Sequence, residues 1–276
     1  RTEMWQFFFK DYYGIMLVQL PVMVINSSYG MFIRGEGKPQ YFMQVNILNV
    51  LLNIFLDYLF VRWFGWGVKG IALASLLAGA VTLVCILYFF LKKSSVYKLG
   101  RFEFSRMVCK DTLLIGSSEF IGEISLSISM FAYNFVILRN IGIEGVTAFT
   151  IVGYIAFIFS MVTIGFGQGA SSLISFTYGA GERGLTKELR RITNIMVLAA
   201  GAAVMLFVLG GSEWYGSLFV KNDTVVQMVR SGAGIYAFSF LFSGINVINS
   251  FYFTSIGRAM ESAVISSSRG LVLLLI

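Results

Sequence analysis

The chain contains no histidine, and only two cysteines and two prolines, in 276 residues. The missing imidazole removes the commonest metal ligand and general base. Cys85 lies within an apolar run and Cys109 beside a basic stretch, which suggests neither a disulfide nor a metal site. No nucleotide-binding P-loop, zinc spacing or nucleophile elbow occurs. An enzyme has almost no residues to work with, and none is expected. Charge is scarce too: 13% of residues are charged, against roughly 25% in soluble domains.

Apolar surface takes its place. The chain is 57% hydrophobic, with a mean hydropathy of +0.78. About 20 apolar residues cross the hydrocarbon, and such runs lie near 12–33, 41–61, 68–91, 111–138, 146–177, 192–210 and 224–256. An eighth starts near 262. The pattern predicts an all-α, polytopic membrane helix bundle. Within it "VINSSY" at 24–29 returns as "VINSFY" at 247–252, 223 residues on (24 to 247). Counting spans between the copies gives a period of six helices, and an even period preserves orientation. The expected architecture is two six-helix lobes related by a parallel pseudo-two-fold repeat, with this chain a window lacking helices at both ends. Residues 1–92 then belong to the first lobe, 93–110 form a basic linker, and 111–276 belong to the second.

Lys and Arg in short loops favour the cytoplasmic side. One set of loops holds fourteen of them: Arg34, Lys38, Lys92, Lys93, Lys98, Arg101, Arg106, Lys110, Arg183, Lys187, Arg190, Arg191, Arg258 and Arg269. The other side holds seven: Arg1, Lys10, Arg62, Lys69, Arg139, Lys221 and Arg230. The first set is expected in the cytoplasm, with Trp5, Trp63, Trp66 and Trp214 anchoring the opposite interface. The net charge of +7 therefore reads as topology, and its spread over several loops argues against a nucleic-acid partner.

Polar residues inside the spans form seams. Asn46, Asn49, Asn53 and Asp57 share an arc of roughly 80° on the second span. Glu119, Glu123, Ser127 and Asn134 share a face of the fourth, Ser160, Gln168, Ser171, Ser175 and Tyr178 one of the fifth, and Ser239, Ser243, Asn246 and Ser250 one of the seventh. Each seam alone could be interhelical glue. Four together fit a central hydrated cavity lined by Asn134, Gln168 and Asn246. Burying one carboxylate costs at least about 2.5 kcal/mol. The pair Glu119 and Glu123, one turn apart, therefore favours a shared proton or a bound cation, with Glu123 the deeper group. Pairing with a lysine or snorkelling to the interface is the alternative for Glu119. Asp57, near the end of its span, reads as a packing or interface residue.

The stretch "MFIRGEGKPQYFM…NILNVLLNIFLDYLF…GWGVKGIALAS" resembles the fourth-to-sixth-helix region of MATE multidrug efflux transporters. It carries an Arg and Gly after helix four (Arg34, Gly35), N-x-x-x-D near the end of helix five (Asn53, Asp57) and a G-V-x-G turn (Gly67, Val68, Gly70). "GFGQGASSLISFTYGAGERGLTKELRR" is similar to that family's eighth helix and following loop. The resemblance implies that helices four to eleven of twelve are present. It implies a monomeric antiporter in the cell (inner or plasma) membrane that exports small organic cations as Na⁺ or H⁺ enters, without a cofactor. It makes Glu123, with Glu119 a turn earlier, the coupling carboxylate and the place for Na⁺, while the choice between Na⁺ and H⁺ stays open. No acid lies between Asp223 and Glu261, where some members carry a second one. A lipid or oligosaccharide flippase of related architecture and a non-transporting scaffold subunit are the rival readings.

Overall fold

The computed structural model describes residues 12–98, 100 and 104–268. Arg1, Trp5, Lys10, Arg101, Arg269 and the apolar end after it lie outside the described residues, as do the side chains of Ser118 and Glu119. The helices are α1 (Gly14–Gly35), α2 (Pro39–Tyr58), α3 (Gly67–Tyr88), α4 (Arg106–Asn140), α5 (Ile143–Gly179), α6 (Arg183–Phe219), α7 (Asp223–Ala237), α8 (Ser239–Ser255) and α9 (Ala259–Ser267). One π-helical turn (Leu59–Trp63) extends α2 and another (Phe89–Lys93) extends α3. Among the described residues six helices are long and apolar enough to span a membrane, or seven if α7 and α8 form one bent span. The protein is an all-α, multi-pass membrane bundle, and it divides into two compact units, residues 1–103 and 104–276.

In unit 1, α3 is the central helix. A third of its most apolar stretch is buried, against 6% for α1 and for α2. Gly70, Ala72, Ala74 and Ala78 make this close approach possible, since small residues let membrane helices meet backbone to backbone. Ile33, Val45, Ile86, Phe89 and Phe90 close one end as an apolar cluster. Pro39 starts α2 at the position where a missing N–H is harmless. The loop after α1 is tied down by Glu36, whose carboxylate accepts from Ser94 Oγ (2.7 Å), Ser95 N–H (2.6 Å), Ser95 Oγ (3.1 Å) and Val96 N–H (3.2 Å).

In unit 2, α5, α6, α7 and α8 share a core that includes Ile151, Phe159, Val197, Val229, Phe240 and Ile248. On α9, Ser262 and Ser266 both meet Ser250 of α8 at 2.8 Å, and a Cβ on Gly122 of α4 would press on Ser266. Ser105 begins α4 by accepting from Val108 N–H (3.5 Å), so the last residues of 93–110 are helical.

Two expectations need correction. The run 224–256 is not one straight helix: α7 and α8 meet at Phe238 with a 48° bend. The bent segment packs closely on another helix. Gly201 of α6 leaves the room into which the Phe240 carbonyl packs, 2.6 Å from where a Cβ would stand. The other correction concerns the repeat. Helices α1 and α8 end in the same turn, with Gly37 N–H donating to Arg34 O and Lys38 N–H to Ile33 O, and Gly257 N–H to Thr254 O and Arg258 N–H to Phe253 O. Gly37 and Gly257 both hold φ near +80° (79° and 78°), a conformation that only glycine adopts freely. They stand 220 residues apart (37 to 257), and the packing pairs Gly30 with Phe42 and Ser250 with Ser262 repeat at the same interval. The hexamers, at 223, are one turn out of register. Asn26 therefore corresponds to Asn246, not Asn249.

Candidate functional site

A cavity of about 340 Å³ opens among α1, α2 and α3 of unit 1. Each helix supplies a polar pair seven residues apart: Gln19 and Asn26, Asn46 and Asn53, Ser75 and Thr82. Seven residues are nearly two turns, so each pair falls on one face. Asn49 joins them, and Met23 and Phe42 contribute apolar walls. No lining residue carries a charge.

The hydrogen bonds have a consistent direction. Asn26 donates to Gly79 O (2.9 Å), Asn46 to Phe42 O (3.0 Å), Asn49 to Thr82 Oγ1 (2.7 Å) and Asn53 to Ser75 Oγ (3.2 Å). Thr82 in turn donates to Ala78 O (2.9 Å). Each of the four asparagine amides thus donates within the protein, while two oxygens of the lining are left over. Gln19 Oε1 and Asn26 Oδ1 are buried and have no partner among the described residues. Asp57 Oδ1, one turn beyond Asn53 on α2, is in the same state. A buried acceptor without a donor costs roughly 1–3 kcal/mol. The arrangement suits a guest that brings N–H groups or positive charge. The nearest carboxylate is that of Asp57, a turn beyond the lining residue Asn53, and among the described residues no three acidic or cysteine side chains cluster as a metal site.

The expected site residues of unit 2 are disposed differently. Glu123 is exposed on α4, and its backbone carbonyl accepts from Ser127 Oγ (3.0 Å). Asn134 donates to Met130 O of its own helix (2.8 Å). Gln168 on α5 and Asn246 on α8 are half-buried. The packed face of α4 carries Gly122, Ser125 and Ser129, and the seam of Glu123, Ser127 and Asn134 lies about 150° around the helix from it. Asn246 has one further tie: it is the register mate of Asn26, which lines the cavity of unit 1. Sequence reasoning counted the asparagine seam of α2 among four that fit a central cavity but named no site residue on it, and it set Asp57 aside. The signal available was the seven-residue spacing shared by three consecutive helices.

The family model MatE matches residues 120–276. The chain belongs to the MatE family. It is 20% identical over 260 residues to Multidrug and toxin extrusion protein 1 of Homo sapiens, covering 94% of this chain and 45% of that protein. It is 19% identical over 267 residues to Multidrug export protein MepA of Staphylococcus haemolyticus (strain JCSC1435), covering 96% of this chain and 59% of that one. This MatE-family chain thus spans about half the length of the relatives it matches. Among solved structures it is similar to MATE in the straight conformation (TM-score 0.89, 26% identity) and to an outward-facing multidrug resistance MATE family transporter of the MOP superfamily (0.88, 26%). Each match covers 95% of this chain and 59% of the other.

Proposed function

We propose that this chain is part of a secondary antiporter that exports organic cations across the cell membrane in exchange for Na⁺ or H⁺. The observation carrying the proposal is the cavity of unit 1, uncharged yet holding the unpartnered oxygens of Gln19 and Asn26, with the Asp57 carboxylate a turn beyond Asn53. A cationic guest and a proton or Na⁺ compete for the same acceptors, so occupancy by one disfavours the other. Exchange follows once the two lobe arrangements differ in affinity for each. Asp57 is the first choice for the coupling group, because its oxygen is buried without a partner. Glu123 and Glu119 are the second choice, with Asn134, Gln168 and Asn246 as the matching surface of the other lobe. The walls carry no Lys or Arg, which disfavours an anionic lipid-linked substrate and hence a flippase. The protein works as a monomer and as a transporter, not an enzyme. The test is export of a cationic dye from vesicles holding the full-length protein. Export is expected under an imposed Na⁺ or H⁺ gradient, and a gradient-insensitive dye signal would defeat the proposal.

A further inference from the structure

The start of α6 carries a feature that transport does not use. Arg183, Lys187, Arg190 and Arg191 fall within an arc of about 100° on this helix, while Glu182 and Glu188 lie outside the arc. Arg190 is the fixed member. Its Nε donates to Asn249 Oδ1 (2.9 Å), and its guanidinium stands 4.6 Å from the Tyr252 ring centre and 5.8 Å from that of Phe253. These contacts hold the plane of the group but leave the four N–H bonds of its two terminal nitrogens without a partner among the described residues. Arg230 and Arg258, by contrast, have acidic partners in Glu213 and Glu261.

The position along the helix says what could meet those N–H groups. The 37 residues of α6 extend roughly 55 Å, well beyond the hydrocarbon thickness of about 30 Å. Residues 192–211 contain no charge and fill about 30 Å by themselves, with Glu213 and Trp214 following at the far end. The first turns of α6 therefore stand outside the hydrocarbon, and Arg190 and Arg191 sit at its edge, at the level of lipid phosphates. A guanidinium fixed through Nε and one face presents a fork that matches two phosphate oxygens.

We propose that Arg190, flanked by Lys187 and Arg191, binds the phosphate of an anionic phospholipid at the α6–α8 surface. Arg190 itself bridges α6 to α8, and a lipid held on its free N–H groups fixes that bridge and so braces the half-span that begins at the bend.

The full-length protein is extracted from phosphatidylcholine membranes with and without phosphatidylglycerol, and retained lipid is counted by native mass spectrometry. The wild type should retain phosphatidylglycerol and gain thermal stability from it. Arg190→Gln should weaken retention about fivefold or more, the effect of removing one basic side chain at the surface. Arg190→Lys should fall between, since it keeps the charge and loses the fork. Lys187 and Arg191 are exposed, so replacing both with Gln should lower retention while leaving the thermal midpoint in phosphatidylcholine unchanged. Wild-type retention by either the Arg190→Gln or the double variant overturns the proposal. Equal stabilisation by inorganic phosphate in pure phosphatidylcholine also overturns it, because a free anion would then suffice.

Discussion

In unit 1, Asn49 reaches across to Thr82 on the neighbouring helix, and Asn26 reaches the Gly79 carbonyl. In unit 2, Asn134 turns back to the carbonyl one turn earlier on its own helix, as do Ser127, Thr163 and Ser171. The residue types are similar, but the first pattern ties three helices around a space and the second satisfies each helix alone. Unit 2 also has bonds between helices: Ser175 donates to the Ser255 carbonyl, Arg190 to Asn249, and Ser250 of α8 meets both Ser262 and Ser266 of α9. The serine cluster is closed, with all three serines buried. A polar seam is therefore not by itself a site. It becomes one when its donors are used by neighbours and its acceptors are not.

The comparison can be broken at its packing first. Gly201→Leu in unit 2 must push against the Phe240 backbone carbonyl, which cannot rotate away. Overpacking costs about 1–3 kcal/mol, and this variant should reach or exceed the upper end, read as a lowered thermal midpoint in detergent. Gly30→Ala in unit 1 meets only the end of the Phe42 ring, so its loss should be smaller. Equal losses would mean that the Phe240 carbonyl yields as readily as the Phe42 ring.

Seams come next in size. Asn49→Leu removes an interhelical bond and should cost about 0.6–1.7 kcal/mol, the measured span for such bonds in membranes. Asn134→Leu loses a bond within one helix and should change the midpoint little. A larger loss at Asn134 would show that the α4 seam is packed against something outside the described residues.

Much of the fold was legible because hydrophobic length and loop charge are local quantities. The spans came within a few residues of the observed helices wherever no distant contact intervened. They failed at Phe238, where the bent segment packs against Gly201 of another helix. Span 192–210 also stops short of α6, since hydropathy cannot see the basic turns that prolong a helix past the hydrocarbon. The hexamer misled for a related reason. Helix register is set by where the chain turns and which small residue meets the next helix, and local identity one turn away carries neither fact. In the site, the α2 asparagines were visible, but their partners Ser75 and Thr82 are ordinary hydroxyls until α3 is placed beside them.

The smallest effect concerns the loop after α1. Slight burial pushes the Glu36 carboxyl up, but hydrogen bonds from Ser94, Ser95 and Val96 outweigh it and hold the group below the usual carboxylate range. A depressed carboxyl stabilises the fold above its unfolded value, about 4.3, and loses that contribution as pH falls through the folded value. Limited trypsin digestion at neutral pH should cut faster at Lys92, Lys93 and Lys98 in Glu36→Gln than in the wild type. Equal rates would mean that the clasp does not hold the loop.

The most direct test pairs the two carboxylates. Asp57→Asn and Glu123→Gln are made separately in the full-length protein, and export of a cationic dye is measured under imposed Na⁺ and H⁺ gradients. The account predicts that Asp57→Asn abolishes gradient-driven export with insertion and folding intact, while Glu123→Gln weakens it less. Full export by Asp57→Asn, with loss in Glu123→Gln, would contradict the account and move the coupling site to unit 2.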